Sequence, residues 1–169
     1  MTASIVVRPG RSGDVDAIAA VWHAGWREAH LGRVPDALMP HRTAATFRAR
    51  VPVNLPITTV AEVAGAVAGF VVVRDDEVEQ VYVAVGHRGS GVADRLLDHA
   101  EAVVARRFER AWLAVVDGNS RARRFYERRG WADAGPFDEP AWLPDGTTIA
   151  VPSRRYEKAV GPEAIANRR

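Results

Sequence analysis

Residues 77–85, Glu77-Val78-Glu79-Gln80-Val81-Tyr82-Val83-Ala84-Val85, lead into Gly86-His87-Arg88-Gly89-Ser90-Gly91, and an apolar stripe begins at Val92. The stretch reads as a strand, a tight basic glycine turn, and a helix to Arg107. Glycines between a strand and a helix let backbone N–H groups approach a ligand, and a helix N-terminus favours negative charge. Residues 88 to 94 are therefore a candidate phosphate or pyrophosphate cradle, although a Gly-x-Gly turn also serves plain strand-to-helix geometry. The sequence has no Gly-Lys-Ser/Thr and no second glycine pattern of a dinucleotide fold.

Outward from this stretch, Val92, Leu96, Ala100, Val103 and Val104 share one side of the helix, with Asp94, Arg95, Asp98, Glu101 and Arg106 elsewhere. Ala111–Val116 is the next strand, and a crossover through one helix implies that it runs parallel to the strand at 77–85. Upstream, Ile57–Val63 and Ala66–Arg74 read as strands joined through Ala64-Gly65 and Asp75-Asp76, an antiparallel meander whose apolar texture suits a sheet covered on both faces. Ile5–Arg8 is a short strand. Asp14 is read as the N-cap of a helix carrying Val15, Ile18, Trp22, Trp26 and Ala29 on one face, to about His30. A short helix near Thr43–Arg50 is expected to stop at Pro52 and Pro56. Beyond residue 116, Asn119 or Ser120 caps a helix that ends at Gly130. Trp131–Ala134 is read as a short strand, Pro136–Asp145 as a loop, and Thr147–Glu157 as a last strand that Pro152 forces into a bulge or an edge position. One domain over residues 1–160 and a flexible tail over 161–169 are expected.

The chain has 169 residues, 47% hydrophobic and 26% charged, which suits an ordinary globular protein. No apolar run approaches the ~20 residues needed to span a bilayer, and the N-terminus lacks signal-peptide features, so a cytoplasmic protein without a membrane role is expected. With no cysteine, disulfides, Cys-ligated zinc and thiol nucleophiles are excluded. Five scattered histidines without a close acidic pair give no metal signature, so no metal is expected. Lys158 is the sole lysine, so arginine supplies nearly all the positive charge. A net charge of +2 is too small to argue for nucleic-acid binding through the arginines of residues 121–129. A homodimer is compatible with these features.

A second constellation, Asn119-Ser120-Arg121-Ala122-Arg123-Arg124-Phe125-Tyr126-Glu127-Arg128-Arg129-Gly130-Trp131, gives the glycine turn its context. Together the two stretches resemble the GNAT acetyltransferase superfamily, which transfers an acyl group from acyl-coenzyme A to an amine. Arg88-Gly89-Ser90-Gly91-Val92-Ala93 is similar to its (Gln/Arg)-x-x-Gly-x-(Gly/Ala) signature. Asn119, Phe125-Tyr126-Glu127 and Arg129-Gly130-Trp131 match its later region. The order of elements is similar to the family's from residue 4 to about residue 157.

The resemblance implies an α/β (α+β) fold: a central mixed, mostly antiparallel sheet of six to seven strands, with splayed parallel strands 4 and 5, flanked by about four helices. It implies acetyl-CoA as cosubstrate. The pyrophosphate would lie on Arg88, Gly89, Ser90, Gly91, Val92, Ala93 and Asp94, and the pantetheine arm along Val81, Tyr82 and Val83. Asn119 would bond the pantetheine region, and Tyr126 would sit near the thioester sulfur, where it would protonate the leaving thiolate or steady its charge. One of the helix arginines, Arg124, is a candidate for the 3′-phosphate. Two positions depart from the family: Val85 stands where proline is common, and Ala114 stands where members that acetylate protein N-termini carry glutamate.

An attacking amine must lose a proton. Glu79 is the first candidate base and Glu77 the second, two apart on the strand that lines the family's site, with Glu62 weaker. His23 and His30 read as solvated or capping residues first and as bases acting through water second. Trp26, Arg27, His30 and Trp142 are candidate acceptor-binding residues. A small-molecule amine is favoured and a protein amine stays open. The alternative to an enzyme is a non-catalytic domain of this fold that binds CoA or a partner.

Overall fold

The computed structural model describes residues 4–166. Seven strands form one sheet in the order β1-β2-β3-β4-β5-β7-β6. They are β1 (Ile5–Pro9), β2 (Thr58–Val63), β3 (Ala66–Arg74), β4 (Glu77–Val83), β5 (Arg110–Val116), β6 (Ala132–Trp142) and β7 (Thr148–Ala159). The helices are α1 (Val15–His30), α2 (Ala44–Asn54), α3 (Val92–Ala105), α4 (Ser120–Arg128) and a short α5 (Pro162–Ala166). Every neighbouring pair of strands is antiparallel except β4–β5, which is parallel. The expected mixed, mostly antiparallel sheet with about four main helices is the architecture observed.

The parallel pair is what positions the site. β4 and β5 are in register only at Glu77 and Trp112, where the Trp112 N–H also donates to the Asp76 carbonyl at 3.0 Å. Beyond that point the strands diverge. A bulge contributes: Val72 faces Gln80 and Val73 faces Val78, so Glu79 is the extra residue of β4. Bulges sharpen local twist and re-aim side chains. Strict alternation, which would place Glu77 and Glu79 on one face, is interrupted here.

Both faces of the sheet are covered. On one, Ile18 and Trp22 of α1, Phe47 of α2 and Leu38 of the turn between them are buried against Val60, Phe70 and Val72. On the other, α3 buries Val92, Leu96, Leu97, Ala100 and Val104 against Val71, Leu113 and Tyr156. Each such large apolar side chain contributes about 1.5 to 3 kcal/mol.

Several expectations are corrected. Pro136–Asp145 is not a loop up to Trp142, because β6 runs unbroken from Ala132 to Trp142. β6 is an edge strand, and Pro136 and Pro140, four residues apart, point the same way, which an open edge tolerates. Pro152 makes neither a bulge nor an edge. It lies in β7, an interior strand, just past the end of β5, where its carbonyl accepts the Asp117 N–H at 3.1 Å. The bulge of that hairpin is at Asp133–Gly135. Pro52 sits inside the last turn of α2 instead of stopping it. Asp14 occupies the N-cap position of α1 without a side-chain cap bond. Its carboxylate instead accepts from Arg8 Nη1 at 2.7 Å and from the Arg11 N–H at 2.8 Å. The segment expected as a tail begins with α5, and residues 167–169 lie outside the described residues.

Candidate active site

Two cavities meet where β4 and β5 separate. One, of about 580 Å³, runs along the turn before α3 and is lined by Val81, Val83, Arg88, Gly89, Gly91 and Asp94 among others. The other, of about 410 Å³, lies beneath α1 and is lined by Glu77, Glu79, Glu139, Arg42, Trp26 and Trp142 among others. Val81, Tyr82, Asn119, Ala122 and Tyr126 line both, so they form the passage between the two.

The larger cavity has the features of an anion groove. Gly89 and Gly91 have φ of +71° and +87°, the left-handed region that glycine adopts without penalty. Gly91 is the N-cap of α3 and supplies no side-chain cap. Among the described residues, the N–H groups of 89 to 94 donate to no other backbone group, so the donors of this helix start are free for a ligand. The space a Cβ would take at Gly89 is open. Val92 is buried in the core, where its side chain anchors the turn. Ser90 is exposed, and its hydroxyl donates to the His87 carbonyl.

Arg88 and Arg121 line the same groove, and both pair with Glu28 of α1, at 2.6 Å and 3.3 Å. The hydrogen bond from Arg88 first, then the charges of Arg88 and Arg121, hold the Glu28 carboxyl below its ordinary range against the effect of burial. Glu28 was not legible as a site residue in the sequence. Arg124 is exposed and does not line the groove, whereas Arg121 and Arg128 do.

At the passage, Asn119 caps α4, its side-chain oxygen accepting the Ala122 N–H at 3.2 Å. Tyr126 packs edge-on against Phe125 and Trp131, at centroid distances of 5.2 Å and 6.1 Å. Burial raises its hydroxyl pKa well above the ordinary value, so it stays protonated through the neutral range. Among the described residues that hydroxyl has no hydrogen-bond partner, so it is free to serve a ligand.

Tyr82 stacks on Phe70 at 5.8 Å and fills the space opposite Gly25 of α1. A Cβ built at Gly25 would lie 2.5 Å from Tyr82 Cδ1. Alanine gains up to about 1 kcal/mol of helix propensity over glycine. Overpacking a rigid ring costs more, about 1 to 3 kcal/mol. Gly25→Ala is thus expected to lower the melting temperature by a few degrees in a thermal scan, with unchanged or raised stability as the opposing result.

The smaller cavity gathers the carboxylates. Burial first, then Glu139 and Glu79, pushes Glu77 up to about 7. Burial first, then Glu79, likewise pushes Glu139 up to about 7. Glu79 is tied to Arg74 at 2.8 Å. Glu139 lies on β6, and reading that segment as a loop hid it; the alternation of Phe137, Glu139 and Ala141 was the available signal. Arg42, buried at 3% exposure, also lines this cavity and was not foreseen.

Among the candidate acceptor residues, Trp26, His30 and Trp142 line the cavity. The His30 ring stacks on Trp26 with centroids 4.7 Å apart, and its Nδ1 lies 2.9 Å from the Trp26 carbonyl. Burial pulls its pKa down to about 4, which leaves the ring neutral at pH 7. Arg27 is on the exposed face of α1 and lines neither cavity. His23 packs against Phe47 at 5.6 Å. Glu62 pairs with Arg8 at 2.9 Å, away from both cavities. Among the described residues no group of His, Asp or Glu could hold a metal ion, and no helix is long and apolar enough to cross a membrane.

Residues 20–131 match the acetyltransferase (GNAT) family. No curated protein sequence matches the chain. Among solved structures, a GCN5-related N-acetyltransferase from Rhodopseudomonas palustris superposes with a TM-score of 0.71 at 20% identity, covering 94% of this chain and 98% of that one. The PaiA N-acetyltransferase from Thermoplasma acidophilum, solved in complex with coenzyme A, superposes with a TM-score of 0.62 at 18% identity, over 92% of this chain and 99% of its own. A GCN5-related N-acetyltransferase from Kribbella flavida gives 0.66 at 22% identity, over 92% and 97%.

Proposed function

Because the chain belongs to the GNAT acetyltransferase family, we propose that it transfers acetyl from acetyl-CoA directly to a primary amine of a small-molecule acceptor, with both substrates bound at once. The observation that carries this reading is the pair of cavities meeting at Tyr126, one with free amides at a helix start and the other with buried carboxylates. The free amides of residues 89 to 94, with Arg88 and Arg121, suit a pyrophosphate once Glu28 releases the arginines. Val81 to Val83, which line the groove beside the splay, offer backbone groups suited to pairing with the pantetheine amides as an added strand would. Asn119 reaches the same passage. A volume near 410 Å³ suits a small acceptor.

Each residue has a separate task. The acceptor enters as an ammonium and must lose a proton to attack the thioester carbonyl. Glu77 is our candidate base, with Glu139 coupled to it, since Glu79 is engaged by Arg74. A carboxylate near 7 is better matched to that task than one near its usual value. As the carbon–sulfur bond breaks, the departing thiolate takes the Tyr126 proton.

The pH dependence follows in sign. Below about 7 the cluster holds a proton and cannot take the acceptor's, so kcat/KM rises as pH increases through about 7. The apparent value belongs to the coupled pair. Glu77→Gln should lower kcat/KM by about 10²-fold and remove this limb. A limb near 4.5 in the wild type, or one unchanged in Glu77→Gln, would count against Glu77. The proposal as a whole is checked by thiol release from acetyl-CoA across a panel of amines. Acceptor-dependent release is expected, and CoA binding without release from any amine would favour a non-catalytic role.

A further inference from the structure

The smaller cavity holds a cation with unused hydrogen-bonding capacity. Arg42 is 97% buried, taking its 3% exposure, yet only its Nη1 is engaged, donating to the His41 carbonyl at 3.3 Å. Its Nε has no partner. The guanidinium lies 3.9 Å over the Trp142 ring and 5.6 Å from that of Trp26. Stacking of this kind fixes the guanidinium plane and leaves its in-plane edge for a planar oxyanion. Glu139 acts on Arg42 electrostatically, but among the described residues the two make no hydrogen bond or ion pair. Burial pulls the Arg42 pKa down to about 10, a penalty that an arriving anion would relieve.

The same cavity has an opposite pole. Glu77 and Glu139 suit an ammonium, and Trp22, Trp142 and Phe137 offer apolar wall in the same cavity. A plain amine would satisfy the carboxylates and leave Arg42 unanswered. A molecule with an ammonium and a carboxylate satisfies both.

Resting on the N-acetyl transfer proposed above, we infer that the acceptor is an amino acid, its amine directed to the glutamates and its carboxylate received by Arg42. Arg42 is then the residue that selects the acceptor.

The test is calorimetric and needs no turnover. Methionine, phenylalanine and glutamate are titrated, each beside its decarboxylated amine and its α-carboxamide, with and without CoA. At least one amino acid is expected to bind tenfold or more tightly than its two partners. Arg42→Gln should erase that difference while leaving the plain amine within twofold, and Arg42→Lys should restore part of it. Plain amines or amides binding as well as the amino acid in every set would overturn the inference. So would no binding of any amino acid, or a preference that survives in Arg42→Gln, which would reduce Arg42 to a packing partner of Trp142. Failure of acetyl transfer as such shows separately, as missing thiol release with amines that do bind.

Discussion

Tyr126→Phe is expected to lower kcat by about 10² to 10³-fold, the size of effect a positioned general acid supplies. The dissociation constant for acetyl-CoA should stay within twofold. Phenylalanine keeps the ring contacts to Phe125, Trp131 and Tyr156, so the fold around α4 is preserved. What is lost is a hydroxyl that burial keeps protonated, on a residue that lines both cavities at their junction. On the proposed mechanism, the thiolate would then leave without a proton donor in a buried passage. Steady-state kinetics at saturating acetyl-CoA, with binding measured separately, give the answer. Retention of more than a third of kcat would make Tyr126 a packing residue.

Lys158→Met is expected to destabilise the fold by about 3 to 5 kcal/mol, because it breaks a buried ion pair by removing one partner. Lys158 Nζ lies 2.7 Å from Glu101 Oε1, with the two side chains 4% and 10% exposed, and it also donates to the Arg129 carbonyl at 2.6 Å. Trp131 Nε1 donates to the same Glu101 oxygen at 3.1 Å. The sole lysine thus joins the C-terminal half of α3 to the end of α4, which carries Tyr126. A loss of that size corresponds to a fall in melting temperature on the order of 10 °C for a chain of this length. Replacing both partners, Glu101→Leu with Lys158→Met, should recover much of the loss, since an apolar pair leaves no unmatched charge. A single variant within about 1 kcal/mol of wild type would show that the pair adds little.

How far the sequence could be read depended on whether a feature was local. The turn from Gly86 to Gly91 announces itself through glycines needed for positive φ, and α3 through an apolar stripe at helical spacing. Asn119 caps α4 and Tyr126 lies within it, read from a local capping pattern. The acceptor side was harder. Glu139 was hidden because Pro136 and Pro140 resemble a loop until it is known that β6 lies at the sheet edge, where missing N–H groups cost little. Arg42 carries no local signature. Only packing brings it over Trp142, a hundred positions away. Glu79 was preferred over Glu77 on its place in the strand, yet Glu79 sits at a bulge and is tied to Arg74, while burial raises the Glu77 carboxyl. The candidate donor-side residues are thus tied to short glycine and capping patterns, and the candidate acceptor-side residues to long-range folding.

The most direct test of the account is a calorimetric comparison of acetyl-CoA with acetyl-pantetheine, which lacks the pyrophosphate and nucleotide. The account predicts saturable one-to-one binding of acetyl-CoA in the micromolar range, roughly −8 kcal/mol, and binding of acetyl-pantetheine weaker by at least about 100-fold, which is about 2.7 kcal/mol. No saturable binding of acetyl-CoA up to millimolar concentration, or equal affinity for the two compounds, would contradict it.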